Sequence, residues 1–365
     1  MRSHSVARPL LLTATLVFLT VPLAAPLAAQ AYPHPLEGSV ARITMHGASL
    51  EGNLSGDPAD RFLTVYLPPG YQAETSRHYP VLYALHGYTD DDLHWMGWQQ
   101  HFVNLVTITD SAIAAGVIPG LIVVMPNSYT RFQGSMYSNS ITTGNWEDFI
   151  ASDLVEYVDA HYRTIPERTS RGLVGHSMGG YGAMRIGMKH PDVFASVYAM
   201  SPCCLAARVP AGPEAAAALQ RYEAIRTMAD FEKADFGTRA QIASAAAWSP
   251  NPNNPPFFID LPTKNGELQP QVVAKWAANA PLAFIDQYIP DFRRIAFGID
   301  SGDQDRGIAP TATEVHRILE QYGVAHEYGI YPGNHISNVH LRIKTTVLPF
   351  FARTLAFEKV LKAGQ

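Results

Sequence analysis

The stretch Arg171-Gly172-Leu173-Val174-Gly175-His176-Ser177-Met178-Gly179-Gly180-Tyr181-Gly182-Ala183-Met184 decides the fold of this chain. Gly172 to Val174 reads as a short apolar strand, Tyr181 to Lys189 as a helix, and G-x-S-x-G from Gly175 to Gly179 joins them. A strand passing through that pattern into a helix predicts a nucleophile elbow, a tight turn that lifts the Ser177 hydroxyl into the open. Glycine is needed on both sides because the serine takes a strained backbone conformation and its neighbours must come close without a Cβ. The same turn sets the Met178 amide at a helix N-terminus, where it can meet a developing oxyanion.

Toward the N-terminus, Tyr79 to Leu85 is an almost unbroken apolar run, which fits a strand buried on both faces. It ends in His86-Gly87-Tyr88-Thr89, a turn placed to offer the Tyr88 amide as a second oxyanion donor. Asp90-Asp91-Asp92 follows; its spacing matches no metal-binding loop, and it reads as a solvated loop. Ser39 to His46 and Arg61 to Leu67 alternate apolar and polar residues, the pattern of half-buried antiparallel strands. Gly120 to Pro126 is a second doubly buried strand, and helices are expected over Phe102 to Ala115 and Trp146 to His161. The polar and aromatic stretch between them suggests a substrate wall built from Tyr129, Arg131 and Trp146, with Trp95 and Trp98 beside it. A surface loop with anchoring aromatics is the alternative.

Beyond the elbow, Phe194 to Met200 is a strand, whereas Ser201 to about Pro290 shows no strand pattern. Its alanine-rich tracts, Glu214 to Met228 and Thr238 to Trp248, predict a helical insertion that roofs the site. The strand Arg294 to Ile299 then delivers Asp300-Ser301-Gly302-Asp303-Gln304-Asp305. A carboxylate on a strand-end loop between nucleophile and histidine is what the chain order serine, acid, histidine requires. Asp305 is the preferred acid, because Gly302-x-x-Asp lets the chain turn before presenting it; Asp303 is second, and Asp300 is expected to cap the loop. After a helix at Thr311 to Tyr322 and a strand at His326 to Tyr331, Pro332-Gly333-Asn334-His335 presents a histidine suited to act as general base. His86, His176 and His340 read as bystanders. His335 and His340 do not have the spacing of a zinc motif, and no metal is expected. These elements predict an α/β fold with a mostly parallel central sheet, antiparallel N-terminal strands and helices on both faces.

The chain has 365 residues, 47% hydrophobic and 16% charged, enough for one large core. Its net charge of −5 without a basic run argues against nucleic acid as a partner and against an electrostatic membrane anchor. Arg2 and Arg8 ahead of the apolar run Pro9 to Leu23, with Ala29-Gln30-Ala31 as a cleavage site, predict a signal peptide over residues 1–31 and an exported domain over 32–365. The two cysteines, Cys203 and Cys204, are neighbours whose Cα atoms stand ~3.8 Å apart, shorter than the usual disulfide span, and they read as two small buried thiols.

With these residues laid out, the chain resembles the esterase-D-like branch of the α/β-hydrolases. That branch includes S-formylglutathione hydrolases, feruloyl and acetylxylan esterases, siderophore esterases and mycolyltransferases. The resemblance rests on Val65 to Tyr71, Tyr79 to Gly87, Trp146 to Ile150, Gly175 to Ala183 with His190 to Phe194, Gly302 to Asp305, and Pro332 to His335. It implies Ser177 as nucleophile, His335 as base, Asp305 as acid, and the Met178 and Tyr88 amides as the oxyanion hole. It implies no cofactor, and a small-molecule or glycan-linked ester as substrate. Three departures bear on the pocket: Ile336-Ser337-Asn338-Val339 follows the histidine where similar esterases commonly carry tryptophan, Tyr88 stands where they carry a second glycine, and the region after Ser201 carries the long insertion. The expectation is a secreted serine carboxylesterase, with aromatic-acyl or sugar esters as candidate substrates. An acyltransferase of the mycolyltransferase type and a noncatalytic binder on a hydrolase fold are the alternatives.

Overall fold

The computed structural model describes residues 35–207 and 213–357, so the leader expected at residues 1–31 lies outside the described residues. Eight strands form one sheet: β1 (Ser39–His46), β2 (Asp60–Leu67), β3 (Val81–Leu85), β4 (Ile122–Pro126), β5 (Arg171–His176), β6 (Ser196–Met200), β7 (Ala296–Gly302) and β8 (Glu327–Tyr331). Their order across the sheet is β1-β2-β4-β3-β5-β6-β7-β8. Strand β2 runs antiparallel to both its neighbours, and every pairing from β4 to β8 is parallel. The expected α/β architecture is the observed one.

Strands β3, β4 and β6 are buried at every residue, which is why their sequences are apolar without alternation. Successive side chains still point to opposite faces. Leu82 and Ala84 join Val106, Phe350 and Phe351 on one side, while Val81, Tyr83 and Leu85 join Phe149, Leu154 and Met184 on the other. The helix Leu105–Ala114 and the C-terminal helical stretch therefore cover one face, and helices from 146–161 and Met178–Lys189 the other. The stretch expected to be a plain helix at 146–161 contains a π-helical turn, Phe149–Asp153, and the C-terminal helical stretch contains another, Ile343–Val347, a widening that helical periodicity does not register. Glu147 ties the first of these stretches to the elbow helix by ion pairs to Arg185 at 3.1 Å and to Lys189, with His190 at 3.2 Å. Burial opposes its ionisation, but those neighbours prevail and hold the carboxyl at about 2.

The insertion carries helices Pro213–Ala224, Met228–Lys233, Phe236–Trp248 and Pro270–Ala277. It also has a hairpin, Thr263–Lys264 with Glu267–Leu268, where the sequence shows no strand pattern; two residues per strand are too few to show alternation. The aspartate triplet is not a solvated loop. Asp92 is fully buried, paired with Arg42 at 2.7 Å and accepting hydrogen bonds from Thr64 and Asn127. Asp91 caps a short helix by accepting the His94 amide, and Asp90 accepts the indole N–H of Trp95. All three acids anchor the turn after β3.

Candidate active site

Ser177 leaves β5 with φ 58° and ψ −117°, outside the regions open to most L-residues. Its neighbours show why the turn demands glycine. A Cβ on Gly175 would stand 2.2 Å from the Gly179 carbonyl oxygen, and one on Gly179 1.9 Å from that of Leu85. The strain is held by hydrogen bonds on both sides of the residue. The Ser177 N–H donates to the Met200 carbonyl at 3.0 Å, and the Ser177 carbonyl accepts from Tyr181 at 2.9 Å and Cys203 at 3.1 Å.

His335, on the loop after β8, brings Nε2 to 2.9 Å from Ser177 Oγ, and its Nδ1 lies 2.5 Å from Asp305 Oδ2. A carboxylate can only accept, so Nδ1 carries the proton and Nε2 is left to accept the serine hydroxyl's. The three competing aspartates separate cleanly. Asp305 faces the histidine, while Asp303 Oδ1 accepts the Gly333 N–H at 2.9 Å and so ties down the histidine's loop. Asp300 does not cap its own strand-end loop, the role expected of it from the sequence. It is fully buried in β7, bound to Arg342 at 2.8 Å and to the Tyr198 hydroxyl at 3.1 Å, and burial raises its pKa despite the arginine.

Two histidines that read as bystanders in the sequence hold the surroundings in place. His176, buried beside the nucleophile, has Nε2 2.8 Å from the His335 carbonyl oxygen, so that nitrogen must donate. Burial, reinforced by the adjacent His335 ring, pushes the His176 pKa down to about 3 and keeps the ring neutral. His86, also buried, donates from Nδ1 to the Gly87 carbonyl at 2.9 Å and accepts the Ser128 N–H on Nε2 at 2.8 Å. That pair of bonds fixes the His86-Gly87-Tyr88 turn against the elbow, where a Cβ on Gly87 would lie 3.7 Å from Ser177 Cβ. The Met178 amide opens the elbow helix and has no intrahelical carbonyl to meet.

A cavity of about 400 Å³ opens beside Ser177, Asp305 and His335, and its lining is mostly apolar. Leu205, Phe236, Trp248, Trp276 and Ile308 form much of its wall, with Cys203 and Cys204 next to the nucleophile. The Cys203 thiol is held well above its ordinary pKa by the hydrogen bond from Cys204 and by burial, so it is neutral. A larger cavity of about 880 Å³ lies within the insertion, lined by polar residues such as Asn251, Asn254, Asp260 and Gln269, and touches none of these groups.

The expected substrate wall is elsewhere. None of Trp95, Trp98, Tyr129, Arg131 and Trp146 lines the cavity at Ser177. Trp146 is fully buried, packed edge-on against Phe149 with its indole N–H donated to the Thr143 carbonyl. Trp95 is equally enclosed, and Trp98 packs half-buried against the same core. Arg131 donates its amide to Asp57 at the surface, and Tyr129, 37% exposed, receives Arg61 on its carbonyl. The aromatics that do face Ser177 come from the insertion. Trp248 and Trp276 meet edge to face with centroids 5.5 Å apart. In the sequence Trp248 closes the tract read as helix at 238–248, and no pattern marks Trp276.

Residues 58–338 match the protein family described as "Putative esterase". Over 135 residues the chain is 32% identical to an esterase of Mycobacterium tuberculosis; the match takes in 37% of this chain and only 27% of the relative's length. A ferulic acid esterase superposes with TM-score 0.60 at 22% identity, over 88% of this chain and 100% of that one. An S-formylglutathione hydrolase from Staphylococcus aureus does so with TM-score 0.54 at 16% identity, over 87% and 99%. The shared architecture is that of the α/β-hydrolases.

Proposed function

The chain belongs to this esterase family, and we propose that it is a carboxylic ester hydrolase in which ester cleavage runs through Ser177, His335 and Asp305 by way of an acyl-enzyme. One observation carries the reading: the relay from Ser177 Oγ to His335 Nε2 at 2.9 Å and from Nδ1 to Asp305 at 2.5 Å, assembled from three separate strand ends. Ser177 Oγ attacks the ester carbonyl as Nε2 takes its proton, and Asp305 stabilises the resulting imidazolium. The Met178 and Tyr88 amides meet the tetrahedral oxyanion; removing one such donor typically lowers turnover by ~10² to 10³. His335 then protonates the departing alcohol, and a water activated at the same nitrogen frees the acid.

The acyl group is assigned to the apolar cavity under Phe236, Trp248 and Trp276, whose flat faces suit an aromatic or otherwise bulky acyl chain. The same proposal takes residues 32–365 as one hydrolase domain roofed by the insertion at about 201–290, and residues 1–31 as an export signal.

The test is labelling with a fluorophosphonate beside hydrolysis of p-nitrophenyl esters. Mass spectrometry should find the adduct on Ser177, and Ser177→Ala should lose both adduct and turnover. A Ser177→Ala protein that still labels or still hydrolyses would sink the reading.

A further inference from the structure

We propose that Cys203 and Cys204 form a dithiol–disulfide couple in the wall of the Ser177 cavity, and that closing the bridge reshapes the acyl side of that cavity. Both cysteines line the cavity with Ser177, and both are only partly buried. Side chains of adjacent residues in extended chain point to opposite sides. Here Cys204 sits in the left-handed region with φ 62°, and the two sulfurs come together. They stand 2.7 Å apart. That is inside the ~3.5–4.0 Å optimum for unbonded heavy atoms, and a short step from the ~2.05 Å of a bond.

The chemistry is thiol–disulfide exchange with a low-molecular-weight disulfide such as oxidised glutathione. Cys204, as the thiolate, attacks the reagent's S–S bond and expels one thiol; Cys203 gives up its proton as it attacks the mixed disulfide and expels the second. The protein loses two electrons and two protons, and the reagent's disulfide is reduced to two thiols. Neighbouring Cα atoms stand ~3.8 Å apart across a trans peptide, below the ~4.4–6.8 Å usual for a bridge. The ring is therefore strained and readily reopened, the property of labile rather than structural bridges.

Closure has a route into the pocket. The Cys203 N–H donates to the Ser177 carbonyl, and Leu205, the next residue along, lines the cavity and accepts the Leu282 N–H at 2.9 Å from the insertion. Ring strain at 203–204 must be relieved in these attached segments.

The experiment incubates the native protein with oxidised or reduced glutathione, alkylates it with iodoacetamide and weighs it intact. The expected oxidised form is lighter by two hydrogens and takes up no alkyl group, while the reduced form takes up two, mapped to 203–204. Two alkylated thiols after oxidation, or a glutathione adduct that never resolves, overturns the bridge. In parallel, KM for p-nitrophenyl butyrate should differ by ~3-fold or more between the two forms while that for the acetate stays within ~2-fold, and Cys204→Ser should abolish the difference. An unchanged KM in the bridged form overturns the effect on the pocket. This kinetic arm rests on the serine-esterase reading; the mass measurement does not, so the bridge stands or falls by its mass even if that reading fails.

Discussion

The floor and the roof of the Ser177 cavity are built on opposite principles. The floor is the C-terminal edge of the sheet, where β5, β7 and β8 each lead into a turn or loop that carries one of the three polar side chains. Its geometry leaves no freedom: a single added methyl at Gly179 would collide with the Leu85 carbonyl. The roof consists of helices from the insertion, and it meets the cavity through Phe236, Trp248 and Trp276 with no comparable backbone demand. The proposed function thus lodges chemistry where residue identity is forced, and selectivity on the apolar helices above it.

The hardest blow to that contrast falls on the floor. Ser177→Ala should lower turnover of a short p-nitrophenyl ester by ~10⁶, measured in single turnover; a loss of less than tenfold would remove the floor's claim to the chemistry. Asp305→Ala should cost ~10³ to 10⁴ in kcat, while Asp303→Ala, which loses only the anchor to Gly333, should stay within ~3-fold of the parent. Equal losses in the two would mean that loop position, not the Asp305 carboxylate, governs His335.

Gly179→Ala probes the same region without touching a polar side chain. The clash should cost more than ~4 kcal/mol of stability by urea denaturation, the mark of an exceptional site. On the roof, replacing Trp248 and Trp276 with alanine together should reduce kcat/KM for an aromatic-acyl ester by ~10 to 10² and leave the acetyl ester within ~3-fold. Equal losses for both esters would assign the roof a structural rather than a selective part.

The smallest effect is a slope. The folded pKa of His176, about 3, lies below its ordinary 6.5, so on acidification the unfolded chain takes up this proton first. The contribution is intact above pH 6.5 and is lost as pH falls from there toward 3. His176→Gln keeps an N–H for the His335 carbonyl and has nothing to titrate. Its stability between pH 6 and 4 should fall less steeply than the parent's, by up to ~1.4 kcal/mol per pH unit.

The same contrast explains what can be read in the sequence. Strands β3 and β4 announce themselves because burial on both faces forces apolar runs, and the elbow does because its backbone admits only glycine at Gly175 and Gly179. Asp305 can be preferred over Asp303 and Asp300 from Gly302 alone, since a chain must turn before it can present an acid. No such constraint marks an aromatic as facing a cavity. Trp146 and Trp248 look alike in the sequence, yet one fills the core beside Phe149 and the other faces Ser177. Asp92 misleads for a related reason, because its partners Arg42, Thr64 and Asn127 become neighbours only once the sheet has formed.

The bond from His176 to the His335 carbonyl joins a residue next to the proposed nucleophile to the backbone of the proposed base, across 159 positions of sequence. In the time order of synthesis, the ribosome delivers the elbow long before β8 and the loop that follows it. A nascent chain therefore carries an unarmed serine, and recovery of esterase turnover during refolding would clock the docking of the last strand rather than the collapse of the core.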